Sequence, residues 1–183
     1  EAVSDLSAQS IEAQRGAGAG LTVQGFERAM AAGEIASLEP QEVCYLLADT
    51  VGWQLEQVLV NVEPVLARDR LKSENFSIDK GQVIGLRTSC RGMVSGREVV
   101  RITVETALGT PDRASIYLDG TPPVSLTLPS GLQSADSTAA LIISCLPFMA
   151  RSQSPLGLLT LRDLPLIPYW RKKTVSAGEQ HPL

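Results

Sequence analysis

The residues most suggestive of chemistry are three glycines at alternate positions, Gly16, Gly18 and Gly20. A dinucleotide-binding G-x-G-x-x-G motif would need a glycine where Leu21 stands, and a buried apolar strand before the loop. Residues 10–14 are too polar to be that strand, and the G-K-[ST] of a phosphate-binding loop is absent from the sequence. The chain therefore has no nucleotide-binding motif of its own.

A glycine loop that leads into a helix has a second possible use. Thr22 is a suitable N-cap for a helix that starts at the next residue, and the N–H groups at such a helix end attract phosphate or carboxylate. Arg15 would add a positive charge and a bidentate donor. The sequence thus predicts an anion site, for phosphate or carboxylate, at the glycine loop and the helix start, with help from Arg15. The alternative that stays open is a flexible loop with an ordinary helix cap.

Groups for metal binding or acid–base catalysis are few. The single histidine, His181, lies close to the end of the chain, and the three cysteines, Cys44, Cys90 and Cys145, are far apart. We therefore expect no structural zinc site and no Ser-His-Asp or Cys-His catalysis. The catalytic acid or base is unknown at this point. The polar candidates, with nothing to rank them, are Tyr45, Tyr117, Glu105 and Asp5.

Composition limits the possible partners and the location. The 183 residues suffice for one domain, and the net charge of −4 argues against nucleic acid, which requires a cationic surface. The one basic cluster, residues 171–173, begins a polar tail, 171–183, that we expect to be disordered. We expect neither a membrane span nor a signal peptide. Dispersed cysteines indicate a reducing compartment, so the expected location is the cytoplasm.

Two helices are predicted before the first long strand. Residues 1–14 are expected to be a strand end and a loop. Residues 23–32 place apolar side chains on one face at helical spacing, and Gly33 is a suitable stop. A second helix begins at Pro40 and ends at Gly52. Its predicted buried face consists of Val43, Leu46, Leu47, Thr50 and Val51.

Strands follow, and then one more helix. Ser95-Gly96 is expected to form a hairpin turn. Five segments have the alternation or the β-branched content of strands: residues 55–64, 82–93, 98–107, 116–118 and 124–128. A largely apolar, buried helix capped by Asp136 or Ser137 should end or kink at Pro147. This order predicts an α+β fold, an open mixed, largely antiparallel sheet flanked by helices, without a Rossmann domain.

Six short segments, taken in order, resemble those of one family. They are Gly18-Ala19-Gly20-Leu21-Thr22, Gly52-Trp53, Gly81-Gln82-Val83-Ile84-Gly85, Asp119-Gly120-Thr121-Pro122-Pro123, Ser137-Thr138-Ala139-Ala140 and the LLTLRDLP of residues 158–165. Their combined order and spacing is specific, although each alone is weak. From about residue 1 to residue 165, the chain resembles the C-terminal domain of the dihydrodipicolinate reductase-like amino-acid dehydrogenases, the 2,4-diaminopentanoate dehydrogenase family.

The resemblance implies a role within a two-domain enzyme. An N-terminal Rossmann domain would hold NAD or NADP, and residues 1–170 would bind the substrate and form the oligomer. Because the chain starts at Glu1 without methionine, we expect that Rossmann half to lie before it or on a separate chain. The chain alone should bind no cofactor and no metal. The expected partners are this Rossmann domain, a small amino-acid-like substrate and further copies of the chain.

The resemblance leaves the catalytic groups open. The activity that it implies is NAD(P)-dependent oxidoreduction at the C–N bond of an amino or diamino acid. In dihydrodipicolinate reductase itself a His-His-Lys segment serves acid catalysis, and residues 1–15 have no such groups, so that role is not carried over. A Pro-Ser-Gly-Thr turn there grips the substrate carboxylate, and residues 18–22 resemble this turn. The resemblance therefore implies a carboxylate grip by the backbone of Gly18, Gly20 and Thr22, assisted by Arg15. The alternative is a stand-alone, non-catalytic assembly domain that lost its Rossmann half.

Overall fold

The longest element is an antiparallel hairpin. Strand β5 (Val83–Val94) turns through Ser95 and Gly96 into strand β6 (Arg97–Ala107). Both turn residues have positive φ, 48° and 70°, as a two-residue turn that matches the twist of a hairpin requires. The hairpin turn predicted from the sequence is confirmed.

The structure is a computed structural model that describes residues 1–36, 40–73, 75–132, 134–150, 157, 159–160 and 163–164. The chain divides into two compact units, Glu1–Gln133 and Ser134–Leu183. The predicted tail 171–183, with its basic cluster and His181, lies outside the described residues. The same holds for most of residues 155–170, so the boundary placed at residue 170 stays a prediction.

Six strands of the first unit form one open sheet in the order β2-β5-β6-β1-β7-β8. The four remaining strands of this sheet are β1 (Ala2–Asp5), β2 (Gln57–Leu66), β7 (Arg113–Leu118) and β8 (Val124–Leu128). Only the β1–β6 pair is parallel. Two short strands, β3 (Leu71–Lys72) and β4 (Ser77–Ile78), pair separately. The predicted α+β fold with an open, largely antiparallel sheet is confirmed.

Strand β1 lies inside the sheet, between two strands that come about a hundred residues later. One carboxylate oxygen of Asp5, Oδ1, accepts hydrogen bonds from the Ser7 N–H group at 2.9 Å and from the Gly109 N–H group at 2.9 Å. Leu6 N–H also donates to the Ala107 carbonyl. These bonds fix the first strand to the loop after β6. Only a strand end was expected in residues 1–14, and its position inside the sheet was not expected.

The expected loop after β1 contains a short helix, α1 (Ile11–Gly16), so that expectation was wrong. Ser10 caps α1 by accepting the Ala13 N–H group. Gln14 is buried, and its Nε2 amide donates to three carbonyls of the preceding turn, those of Leu6, Ser7 and Gln9. A single buried amide therefore satisfies a turn that cannot pair with the sheet.

Helices α2 (Val23–Ala31) and α3 (Gln41–Thr50) begin and end close to the predicted positions. The Thr22 hydroxyl accepts the Gly25 N–H group at 3.1 Å, which confirms its predicted N-cap role. Gly33 and Gly52 follow the two helices with φ values of 71° and 79°, as glycines after a helix end commonly do. Phe26 of α2 is buried in the main hydrophobic cluster with Leu86, Ala107 and Leu108.

The predicted buried face of α3 was largely wrong. Cys44 and Ala48 are buried, whereas Val43, Leu47 and Val51 are about half exposed. The reason is close packing against the sheet. A Cβ atom placed on Gly92 of β5 would lie 3.0 Å from the Cys44 sulfur, so only small side chains fit between the helix and the sheet.

The sheet has one apolar and one polar face. The apolar face carries the even-numbered residues of β5 up to Gly92 and of β6 from Val100 onwards, including Leu86, Cys90, Ile102 and Val104, and α3 packs against these two strands. The opposite face, which we call the polar sheet face, has charged and hydroxyl side chains. It consists of Glu1, Asn61, Glu63, Arg87, Ser89, Arg91, Arg101 and Thr103, around a shallow depression of about 710 Å³.

The second unit contains helix α4 (Ser134–Met149). It begins before both predicted caps and ends at Met149, two residues after Pro147, where an end or a kink was expected. The proline stands near the C-terminal end of the helix, where it removes one backbone hydrogen bond and disturbs few turns. Ile142 and Leu146 are more than half exposed, whereas burial of this helix on several sides, in the core or at an interface, was expected. Among the described residues, none of the helices is long and apolar enough to cross a membrane.

Candidate functional site

A cleft of about 1000 Å³ opens beside the glycine loop, and we call it the loop cleft. Helix α1, helix α2, the turn between them and the segment before β4 form its walls. Its polar lining residues are Glu12, Arg15, Arg28, Glu34, Asn75 and Ser77, and the others are Gly16, Ala19, Gly20, Leu21, Gly25, Ala29, Ala32, Ile35 and Phe76. Two of the four residues predicted for the carboxylate grip, Arg15 and Gly20, thus line one cavity.

Four charged side chains, two of each sign, line the loop cleft. Arg15 is in the last turn of α1 and Arg28 is in the last turn of α2. Among the described residues, no ion pair within 4 Å involves either guanidinium. Hydrogen bonds from the backbone and from Ser10 lower the pKa of Glu12, and the positive charge of Arg15 adds to this effect. At neutral pH the cleft therefore presents fixed positive charge next to ionised carboxylate.

Gly18 and Gly20 take up conformations that suit glycine, with φ values of 83° and 85°. The Gly18 N–H group donates to the Arg15 carbonyl at 2.8 Å, and the Gly20 N–H group donates to the Val83 carbonyl at 2.9 Å. Gly18 lies under the Phe26 ring, outside the lining of the loop cleft. Its predicted role as a donor to a ligand stays a prediction, and in this conformation both N–H groups already have acceptors in the chain.

Thr22 also lies outside the lining of the cleft, although its neighbours Leu21 and Gly25 belong to it. The Thr22 side chain accepts the Gly25 N–H group, so its hydroxyl oxygen serves the helix. The first N–H groups of a helix have no acceptor inside that helix. The first turn of α2 borders the cleft through Gly25, whose own N–H group is taken by Thr22, so it is the helix dipole that can favour an anion there.

Sequence reasoning missed Glu12, Arg28 and Glu34 as lining residues. A usable signal was present for α2, because Gly25, Arg28, Ala29 and Ala32 follow one another at helical spacing and all line the cleft. Glu12 was missed because the six-residue helix α1 was not expected. Together the four charges suit a ligand with both a carboxylate and an amine, since arginine binds the first and glutamate the second.

The four candidate acids and bases are dispersed over the described part of the chain, and none of them lines the loop cleft. Asp5 holds the turn after β1. Tyr45 is exposed on α3, and Tyr117 is exposed on β7. Glu105 is almost buried, with its side chain 11% exposed, and its Oε2 atom accepts two hydrogen bonds from the half-exposed Arg87. This arrangement stabilises the β5–β6 pair.

The polar sheet face contains an unusual pair of like charges. Arg91 of β5 and Arg101 of β6 lie directly opposite each other, an arrangement that is unfavourable without counter-charges. Glu98 binds Arg101 through two hydrogen bonds of 2.6 and 2.9 Å, and the hydrogen bonds from Arg101 lower the pKa of Glu98. Arg91 has no hydrogen bond or ion pair of its own within the described ranges. Those ranges also contain no group of three potential metal ligands.

Comparison with known proteins gives three results. The model of the family described as "2,4-diaminopentanoate dehydrogenase C-terminal domain" matches residues 1–177. Among curated proteins, none matches the sequence. Among solved structures, an amine dehydrogenase from Mycobacterium smegmatis shares the fold with a TM-score of 0.73 and 19% sequence identity.

That likeness covers 93% of this chain and 51% of the amine dehydrogenase, so the chain spans about half the length of that structure. The likeness in fold and the match over 177 residues agree with the order of helices and strands seen here. The chain therefore belongs to the family of 2,4-diaminopentanoate dehydrogenase C-terminal domains.

Proposed function

We propose that this domain binds the substrate of an NAD(P)-dependent oxidoreductase that acts on the C–N bond of an amino or diamino acid. The observation that carries the proposal is the family match over residues 1–177, together with a cleft that has two arginines and two glutamates. A diamino acid such as 2,4-diaminopentanoate has one carboxylate and two amines. Arg15 and Arg28 would bind the carboxylate, and Glu12 and Glu34 would attract the amines.

The glycine loop contributes to this site through its shape. Gly20 lines the loop cleft, and a Cβ atom at this position would lie 3.2 Å from the Phe76 ring. We propose that Gly18, Gly20 and Thr22 hold the entrance of the cleft open and place the first turn of α2 beside the carboxylate. Arg15 then supplies the charge. In this proposal Arg15 contributes its charged side chain, and Thr22 contributes the start of helix α2. Gly18 and Gly20 contribute because they have no side chain.

The glycine loop does not fit the pyrophosphate of a dinucleotide cofactor. The N–H groups of Gly18 and Gly20 donate to carbonyls of the chain, so they cannot also cradle a pyrophosphate in this conformation. We therefore propose that a separate Rossmann domain, on the same or another chain, holds NAD or NADP. This domain would contribute the position and the electrostatic environment of the substrate.

Calorimetric titration of the chain with 2,4-diaminopentanoate tests the proposal. We expect binding that weakens about tenfold in Arg15→Met and in Arg28→Met, since each loses one charge-assisted hydrogen bond. Arg97→Met, at the exposed end of the β5–β6 hairpin, is the matched control and should bind like the wild type. Equal affinity of all three variants for 2,4-diaminopentanoate would exclude the loop cleft as the substrate site. Tight binding of NADH to the chain alone would refute the two-domain proposal.

A second proposed role is assembly, and Arg91 is the observation that favours it. Glu63 and Arg91 are exposed on the same face of neighbouring strands, so a second copy rotated by half a turn could pair them reciprocally. We propose that the polar sheet face forms a homo-oligomer contact. Sedimentation should show that Arg91→Glu shifts the wild-type oligomer towards monomer and that Glu63→Arg with Arg91→Glu restores it. A wild-type monomer at all concentrations would contradict this role.

A further inference from the structure

The six-stranded sheet has two open edges of very different chemistry. The edge strand β2 carries Glu63 and Pro64, and its register shifts between Val65 and Leu66. A charge, a proline and an irregular register are devices that keep an edge strand from pairing with another chain. The other edge strand, β8, reads Val-Ser-Leu-Thr-Leu and has none of these devices. In the part of the chain that the structure describes, no strand pairs with its outer side.

The backbone of β8 presents donors and acceptors along this outer side. Ser115 of β7 exchanges two main-chain hydrogen bonds, of 2.9 and 2.8 Å, with the segment that leads into β1, so its N–H and C=O groups point towards β1. Because these groups alternate in direction along a strand, those of Ile116 point towards its β8 partner, Leu126. The N–H and C=O groups of Ser125 and Thr127 therefore point outwards, away from β7.

The side chains of β8 complement those of a second β8 that runs in the opposite direction. With a two-fold axis at Leu126, this residue faces its own copy, and Val124 faces Leu128 of the second copy. On the opposite face of the sheet, Ser125 faces Thr127 of the second copy. Apolar side chains thus meet apolar ones and hydroxyls meet hydroxyls, and since β8 has no charged residue, no like charges oppose each other. Val124 and Leu126 are both 50% exposed, so they are accessible to a neighbour.

We infer that β8 is a docking edge for β8 of a second copy of this chain, paired antiparallel about a two-fold axis at Leu126. Ser125 would exchange both of its outward hydrogen bonds with Thr127 of the second copy, and Thr127 would do the same with Ser125. The two six-stranded sheets would then form one continuous sheet. Addition would stop at two copies, because a two-fold contact is closed and the β2 edge is protected.

This contact goes beyond the one proposed at the polar sheet face. That face contains no residue of β8, so the edge contact and the face contact use separate surfaces of the sheet. Each can be removed by substitutions that leave the other intact. The edge contact also requires neither substrate nor cofactor, so it can be measured on the full chain alone.

Cysteine cross-linking tests the pairing and its register. The full chain carries Cys145→Ser, because Cys44 and Cys90 are buried, and oxidised glutathione is the oxidant. Leu126→Cys should form a disulfide between two copies, since directly opposed residues of a non-hydrogen-bonded pair bring their sulfur atoms within reach. Val124→Cys is the matched control, with the same exposure. Its own copy would lie four residues out of register, ~13 Å away, so it should cross-link at least about tenfold more slowly. Mixing Val124→Cys with Leu128→Cys should restore cross-linking.

Two sets of variants locate the effect in the backbone and in the side chains of β8. Thr127→Pro loses an outward N–H group that pairs with no strand of its own chain, so it should keep its melting temperature and abolish the Leu126→Cys disulfide. Thr127→Val keeps that N–H group and should cross-link like the parent. Ser125→Lys with Thr127→Glu places opposite charges across the two-fold axis and should tighten self-association in sedimentation about threefold or more. Ser125→Lys with Thr127→Lys should weaken it.

Four outcomes would overturn the inference. They are equal cross-linking of Leu126→Cys and Val124→Cys, an undiminished disulfide in Thr127→Pro, and equal self-association of the two charge variants. The fourth is slow amide exchange at Ser125 and Thr127 in a chain diluted to monomer, which would mean that another part of the same chain covers the edge. Each leaves the substrate titrations and the Arg91→Glu sedimentation result standing. Failure of those experiments would likewise leave the cross-linking result unchanged.

Discussion

Gly18 is the position where the predicted binding role and a packing role can be separated most sharply. Its φ value is 83°, and a Cβ atom built on it would lie 2.6 Å from Cδ2 and 3.0 Å from Cε2 of the Phe26 ring. Real Cβ atoms do not approach other heavy atoms to 2.6 Å, so in Gly18→Ala the ring must move. Phe26 is only 2% exposed, and it has little free space in which to do so.

The expected cost has two parts. Placing alanine in a left-handed conformation costs about 1–2 kcal/mol, and forcing a buried ring to shift costs about 1–3 kcal/mol more. Gly18→Ala should therefore lower the free energy of unfolding by about 2–5 kcal/mol. Gly33 is the matched control, because its φ value is 71° and no atom lies within 4 Å of its built Cβ. Gly33→Ala should cost only the first part, about 1–2 kcal/mol.

Urea denaturation followed by circular dichroism measures both variants under the same conditions. In a Phe26→Leu background, the smaller side chain gives room, and we expect the cost of Gly18→Ala to fall to that of Gly33→Ala. The reasoning would be refuted if Gly18→Ala cost no more than Gly33→Ala in the wild-type background. The same would follow if the Phe26→Leu background left the difference between them unchanged.

Three further predictions concern the buried interior. Gln14→Met should lower the free energy of unfolding by about 1–3 kcal/mol, because the Ser7 and Gln9 carbonyls lose their amide donor, while the Leu6 carbonyl still accepts the Gln9 N–H group. Gln9→Met on the surface should change it by less than about 0.5 kcal/mol. Gly85→Ala should lower the free energy of unfolding by more than about 3 kcal/mol, because its Cβ would overlap the Thr106 carbonyl oxygen and the Ala107 backbone. A melting temperature within a few degrees of wild type would contradict this. Burial raises the pKa of the Cys44 thiol to about 12, so the unfolded chain ionises first, and the melting temperature should fall as the pH rises from 9 towards 12. Cys44→Ala should weaken that dependence without abolishing it, because burial raises the pKa of the Cys90 thiol as well, and an identical pH profile in wild type and variant would argue against it.

The parts of the fold predicted correctly from sequence are those determined by local backbone chemistry. A left-handed turn needs residues such as Gly96, and a helix start needs an acceptor such as Thr22. The glycines that end α2 and α3 act in the same way. Alternation of apolar and polar residues along β6 then gave the strand and its two faces. Each of these signals depends on a few adjacent residues, so it could be found without any knowledge of the partner elements.

What could not be predicted depends on neighbours distant in sequence. Nothing in Ala-Val-Ser-Asp marks β1 as an inner strand, because its partners are near residues 105 and 114. The buried face of α3 was misassigned since hydrophobicity favoured Val43 and Leu47, whereas the distance to Gly92 selects the smaller Cys44 and Ala48. In the candidate site, Arg15 and Gly20 could be proposed from the glycine loop. Glu34 could not, because only the turn after α2 brings it to the cleft.

The interior position of β1 also constrains when the domain can fold. Its ladder partners lie in β6 and β7, more than a hundred residues later in the sequence. At a synthesis rate of about 5–20 residues per second, roughly 5–20 s pass between the synthesis of β1 and that of β7. Sheets dominated by such distant pairings fold slowly, in milliseconds to seconds. The nascent chain therefore leaves both edges of β1 without their final partners throughout this interval, and an unpaired strand edge can pair with another chain.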